Sequence, residues 1–199
     1  MHALPAAAAP APQRRLITGT VLAAGSLAMF FGGMLAVWMR FRNAAPLKES
    51  SNGKLIADWL PKGVTVHDVA ANLMLMTLVA GCFMAQMAVY AAKRKDNVHV
   101  GLGLGVATLF ALAVINAQAF EYSQMAVPIR GGVYHTMFYA ITGSFLVLMI
   151  VLSAYTVLAA FRYLGGRTGD REVLASVALS WYATTGIYIA VWFLIYVTK

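Results

Sequence analysis

Apolar residues run without a single charge from Leu16 to Met39, from Val69 to Ala92 and from Leu174 to Val197. Two further runs, Val98 to Tyr122 and Val133 to Tyr163, are broken only by Glu121, His99, His135 and, close to the second run's end, Arg162. Each run exceeds the ~20 residues needed to cross roughly 30 Å of hydrocarbon. The segments between them, 40–67, 93–97, 123–132 and 164–173, hold most of the charge. The pattern predicts an all-α polytopic membrane protein, a bundle of five transmembrane helices. All six prolines fall in the N-terminal tail or the loops, so straight helices are expected.

Composition strengthens this reading. The 199 residues are 61% hydrophobic and 11% charged, whereas a soluble domain carries about 25% charge. Only lipid can take up that much apolar surface. Residues 1–15 are Ala/Pro-rich and read as a disordered cytoplasmic tail, leaving 16–199 as the transmembrane domain. The extreme start lacks the charged region of a cleaved signal peptide.

The net charge of +8 raises the question of nucleic acid. The basic residues, however, sit between apolar runs, where they orient membrane proteins, and no basic patch with interleaved aromatics occurs. No nucleic-acid partner is expected. Eight basic residues lie on the side of the tail, the 93–97 turn and the 162–172 loop, against seven opposite. The dense Lys93-Arg94-Lys95 turn decides the orientation. A multi-pass protein of the cell (inner or plasma) membrane is expected, N-terminus cytoplasmic and C-terminus outside.

Small residues recur every fourth position in the first span: Thr20, Ala24, Ala28, Gly32 and Ala36. Such a row lets another helix approach closely. Gly101 and Gly105 predict a second close-packing site in the third span. The methionines of the second span (Met74, Met76, Met84, Met87) are irregularly spaced among Leu and Ala and read as core filling. Gln86 is expected to hydrogen-bond a neighbouring helix, because an unpaired amide in hydrocarbon is costly. Trp38 is expected at the membrane interface, and Ile56, Trp59 and Leu60 against the membrane surface.

Candidate chemistry is sparse. Cys82 is the single cysteine, so neither a disulfide framework nor a Cys-x-x-Cys site exists. The four histidines lack the i, i+3 or i+4 spacing of a copper or di-metal site, and none lies deep in a run as a haem ligand would. No catalytic residue, cofactor or metal is expected in this chain. Glu121 is the one carboxylate within an apolar run, and an intramembrane ionisable group is a functional candidate by default. Its place at the end of a span favours the plainer reading, an interfacial structural acid bonded to a nearby Tyr, His or backbone N–H.

Gln118-Ala-Phe-Glu-Tyr122, a short loop, then Gly132-Val-Tyr-His-Thr-Met-Phe-Tyr-Ala-Ile-Thr-Gly143 resembles cytochrome c oxidase subunit III. That family reads Gln-Ala-x-Glu-Tyr, a loop, Gly-Val-Tyr-Gly-Ser-x-Phe-Phe, then Ala-Thr-Gly-Phe-His-Gly-x-His. Ala28-Met-Phe-Phe31 is similar to its Glu-Leu-Met-Phe-Phe helix. Gln86 through Arg94 resembles the helix end and basic turn of the short actinobacterial-type members, and Trp181 through Tyr196 its closing Trp-His-Phe-x-Asp helix. The resemblance covers about residues 16–199, in the five-helix form. The landmark positions are Gln118, Glu121, Tyr122, Gly132, Tyr134, His135, Gly143 and Trp181. Several polar family positions are replaced: the membrane glutamate falls on Leu27, the paired histidines on Phe145 and Leu148, and the closing His and Asp on Tyr182 and Thr185. These changes bear on lipid-headgroup binding in the family's cleft and on any proton-antenna role of those residues.

The resemblance implies a subunit of a proton-pumping haem–copper oxidase in aerobic respiration. The chain would support assembly, stability and proton uptake beside oxidase subunits I and II, which would hold haem and copper, with phospholipid bound between helices. The alternatives are a subunit III-like component of a quinol oxidase or nitric oxide reductase, and, in another class, a stand-alone transporter or assembly factor. A transporter is expected to show interrupted helices at matched positions in two halves, which the sequence lacks.

Overall fold

The computed structural model describes residues 15–49, 55–60, 68–124, 132–166 and 171–198. The expected tail therefore lies outside the described residues, apart from Arg15, which already belongs to a helix. Five helices follow in order: α1 (Arg15–Asn43), α2 (Asp68–Lys93), α3 (Asn97–Gln124), α4 (Val133–Leu164) and α5 (Arg171–Trp192). All five are long and apolar enough to cross a membrane. The chain is a helical membrane bundle. One non-helical piece interrupts it, a two-stranded antiparallel ribbon of β1 (Leu47–Glu49) and β2 (Leu55–Ala57), with Lys48 opposite Ile56.

The helices end where local chemistry stops them. After α2, Lys95 takes a φ of 60°, and the Asp96 N–H donates to the Ala91 carbonyl at 3.0 Å while Lys95 N–H donates to Ala92 at 3.2 Å. This is the paired bonding that closes a helix on a left-handed residue. Asp96 then caps α3, its carboxylate accepting the His99 N–H at 3.2 Å. Three residues, Arg94 to Asp96, thus reverse the chain. At the end of α4 the Gly165 N–H donates to the Phe161 carbonyl at 2.8 Å. Gly166 follows at φ 98°, a conformation open to glycine.

Helices α2, α3, α4 and α5 form the packed body: α2 pairs with α3 and α5, and α4 with α3 and α5. α1 leans on the outside against α5 and, more lightly, α4. Lipid removes the hydrophobic drive between helices, so close approach and interhelical hydrogen bonds hold such a body together. Both are present. A Cβ on Gly103 would lie 2.9 Å from the Met84 carbonyl oxygen and 3.1 Å from the Ala88 Cβ, and one on Gly81 would overlap the Trp181 ring. Trp181 Nε1 donates to Thr156 Oγ1 at 3.2 Å, and the Tyr188 hydroxyl donates to the Ala71 carbonyl at 3.1 Å. Trp192 Nε1 donates to Asn72 at 2.8 Å, and Cys82 meets Thr185 at 3.1 Å. Each such bond is worth about 0.6–2 kcal/mol.

Two features hold α1. At its start, the Glu172 carboxylate on α5 accepts the N–H groups of Leu16 (2.8 Å) and Ile17 (3.2 Å), which have no partner inside their own helix. Near its other end, the Trp38 ring meets Trp59 at 5.3 Å and Tyr134 at 5.2 Å. Trp38, near the end of its span, is buried against protein, and Trp59 packs on that aromatic cluster, which corrects the expectation of a tryptophan laid on the membrane surface. The described part of the 40–67 segment is tied into the bundle.

Candidate functional site

The family landmarks converge where the end of α3 meets the beginning of α4 and the end of α5. Glu121 is fully buried at 0% exposure, with Gln118 beside it at 1%. Residues 118 and 121 stand three apart on α3, neighbours on one helix face. Gln118 Nε2 donates to Glu121 Oε2 at 2.9 Å, and the Tyr196 hydroxyl donates to the same oxygen at 2.9 Å. Glu121 is therefore an interior acid. The expected tyrosine partner is Tyr196, and the carboxylate is enclosed by protein more completely than a place at the end of a span suggested.

Tyr196 reaches Glu121 from the last turn of the fifth span. Residues Phe193–Val197 form one π-helical turn there, wider than an α-helical turn by about one residue. Ile195 and Tyr196 are both buried. Such turns concentrate at functional positions.

One step along α3, the Tyr122 hydroxyl donates to Thr142 Oγ1 at 2.8 Å, and the Thr142 hydroxyl donates in turn to the Phe138 carbonyl at 2.7 Å. Gly143 lies close by: a Cβ there would sit 3.9 Å from the Tyr122 hydroxyl. Tyr134 stacks on Phe138 with rings 12° from parallel, and Phe138 meets Tyr196 edge-on at 6.5 Å. Gly132 precedes α4 with φ 135° and ψ −175°, a region essentially reserved for glycine. From there its carbonyl accepts the Thr136 N–H at 3.1 Å. Seven of the eight landmarks thus occupy one end of α3 and the first three turns of α4. The eighth, Trp181, belongs to another level of the core, against Gly81 and Thr156.

The chemistry available is that of a hydrogen-bonded acid in an aromatic shell. Two donors serve one carboxylate oxygen. Glu121 Oε1, Gln118 Oε1 and His135 Nδ1 are buried without a hydrogen-bond partner among the described residues. No three His, Cys, Asp or Glu side chains among those residues come together as a metal site.

The expected packing positions make no tight approach within this chain. Gly32 and Gly105 face outward, and a Cβ on either would meet nothing within 4 Å; at Gly101 it would reach only Leu164, at 3.5 Å. Ala28 is exposed and Ala24 half-buried. The close approaches inside this chain are at Gly81 and Gly103 instead. Spacing could not distinguish them, because these helices are apolar on all sides. Gln86 does meet a neighbouring helix, its Oε1 accepting the Tyr182 hydroxyl of α5 at 3.3 Å.

The positions that depart from the family pattern are built into the packing. Leu27 and Leu148 line the same small cleft of about 170 Å³ between α1, α4 and α5. The Phe145 ring packs on Tyr188 at 4.8 Å, and Thr185 bonds Cys82.

Comparison with known proteins agrees with the landmarks. The sequence profile of the family described as cytochrome c oxidase subunit III matches residues 5–199. A probable cytochrome c oxidase subunit 3 of Mycobacterium tuberculosis (strain ATCC 25618 / H37Rv) is 28% identical over 188 residues, covering 89% of this chain and 85% of that one. The Mycobacterium leprae (strain TN) counterpart is 26% identical over 190 residues with the same coverage. The cytochrome c oxidase subunit 3 of Prototheca wickerhamii is 27% identical over 131 residues, 63% of this chain and 49% of that one. A match spanning nearly the whole chain, on a five-helix membrane bundle, places it: the chain belongs to the cytochrome c oxidase subunit III family.

Proposed function

We propose that this chain acts as the subunit III of a proton-pumping haem–copper terminal oxidase, which passes electrons from cytochrome c to dioxygen. It sits in the cell membrane with its N-terminus in the cytoplasm, beside oxidase subunits I and II. Haem and copper are held by those partners, and this chain carries out no redox step. Its contribution is structural: it steadies the assembled enzyme, holds lipid against its helices and supports proton uptake. The match of the family profile across residues 5–199 carries the reading. The Glu121 site supports the structural role, since the Tyr196 donor ties the end of α5 to the end of α3 while Gln118, on α3 itself, steadies the same carboxylate oxygen. Outward small residues at Ala28, Gly32 and Gly105 leave room for a helix of a partner subunit to approach.

Purification of the tagged chain in a gentle detergent tests the assignment. Haem absorbance and stoichiometric copper should accompany it. A monodisperse monomer without haem absorbance contradicts the oxidase role, and a haem-containing partner without copper points to a nitric oxide reductase.

A further inference from the structure

The geometry points to a binding site for one anionic phospholipid at the α2–α3 turn, with its phosphate at Arg94 and an acyl chain along the outer face of α2. The inference rests on the membrane-spanning fold and not on the oxidase role. It is separate from the cleft that holds Leu27 and Leu148.

An open cleft of about 530 Å³ is lined along α2 by Phe83, Gln86, Met87, Tyr90 and Arg94, with Asp96 and His99 closing its polar end. Residues 83, 86, 87, 90 and 94 share one stripe of the helix by their three- and four-residue spacing. The stripe grades from apolar to charged. Phe83 is 67% exposed and Tyr90 53%. From Phe83 to Arg94 the helix rises about 16 Å, roughly half the hydrocarbon thickness. The lining therefore matches one leaflet's lipid in depth: hydrocarbon from Phe83 to Met87, where the Gln86 amide oxygen is taken up by the Tyr182 hydroxyl, the glycerol region at Tyr90, and the phosphate at Arg94.

Charge selects the headgroup. Lys93, Arg94 and Lys95 stand together on the turn, and Lys93 Nζ lies 5.1 Å from the centre of the ring of Tyr90, which lines the cleft. The one acid present, Asp96, is already engaged, accepting the His99 N–H and meeting the His99 imidazole at 2.6 Å. Arg94 takes no part in that pair. A cation cluster beside an occupied acid favours a phosphate diester bearing net negative charge over a zwitterion.

The test uses the full chain in nanodiscs of equal phosphatidylglycerol and phosphatidylcholine, followed by gentle detergent release and native mass spectrometry. One phosphatidylglycerol should be retained in preference to phosphatidylcholine. Arg94→Gln should weaken retention about fivefold, as loss of one basic residue at an anionic headgroup does, whereas Arg94→Lys should keep the preference. Phe83→Ala with Met87→Ala should weaken retention of both lipids. If Arg94→Gln does not recover wild-type helix content, Lys93→Gln replaces it and should lower retention by a similar factor. Equal retention of the two lipids, or no change on removing either cation, overturns the proposal. Displacement of the retained lipid by inorganic phosphate alone also overturns it, since the site would then take a free anion.

Discussion

The Tyr196 hydroxyl donates to Glu121 Oε2 at 2.9 Å across 75 residues of chain, and both residues are buried. The bond joins the end of α3 to the π-helical turn that follows α5. Removing the hydroxyl leaves a buried acid with one donor. Tyr196→Phe should therefore destabilise the chain by about 1–3 kcal/mol, read as a lower unfolding midpoint in detergent.

The glycines separate into two groups. Gly81→Ala forces a Cβ into the Trp181 ring, and Gly103→Ala presses on the Met84 carbonyl oxygen at 2.9 Å. Each should cost about 1–3 kcal/mol in thermal unfolding of the isolated chain. Gly32→Ala and Gly105→Ala meet nothing within 4 Å in this chain and should leave that midpoint in place. Loss of co-purifying subunits in these two variants would show that a partner helix uses those faces.

Gly132 holds φ 135° before α4. Gly132→Ala should cost about 1–3 kcal/mol, the range for a non-glycine residue forced into that region. Hydrogen exchange at Thr136, whose N–H bonds the Gly132 carbonyl, should rise.

At the α2–α3 turn, the His99 N–H holds the Asp96 carboxyl below the usual carboxylate value. A lowered value in the folded state means that the cap stabilises α3 at neutral pH and is lost as pH falls through that value. Asp96→Asn should speed exchange of the His99 amide near pH 7 and make little difference in strong acid. An equal effect at both pH values would contradict the cap.

Much of this architecture was readable beforehand. All five spans follow from long apolar runs, three of them free of charge, and the partnership of Gln86 from the cost of a lone amide in hydrocarbon. What was not readable shares one cause. Apolar residues surround every helix, so periodicity cannot say which side faces protein and which faces lipid. Gly101 and Gly105 therefore looked equivalent to Gly103, and the burial of Glu121 was underestimated from its distance to the end of the run. The π-helical turn leaves no mark in a stretch reading Phe193-Leu-Ile-Tyr-Val197. Nor did the polar 40–67 segment reveal that Trp59 would join Trp38 and Tyr134 in one aromatic cluster. The capping of α1 by Glu172 unites residues more than 150 apart, beyond the reach of any local pattern.

The role assigned to Glu121, bracing an accessory subunit without taking part in the oxidase's chemistry, meets its most direct test in dioxygen consumption per assembled complex for Glu121→Gln. The account predicts less assembled complex, with wild-type turnover in what does assemble. Full assembly with turnover selectively lost would contradict it.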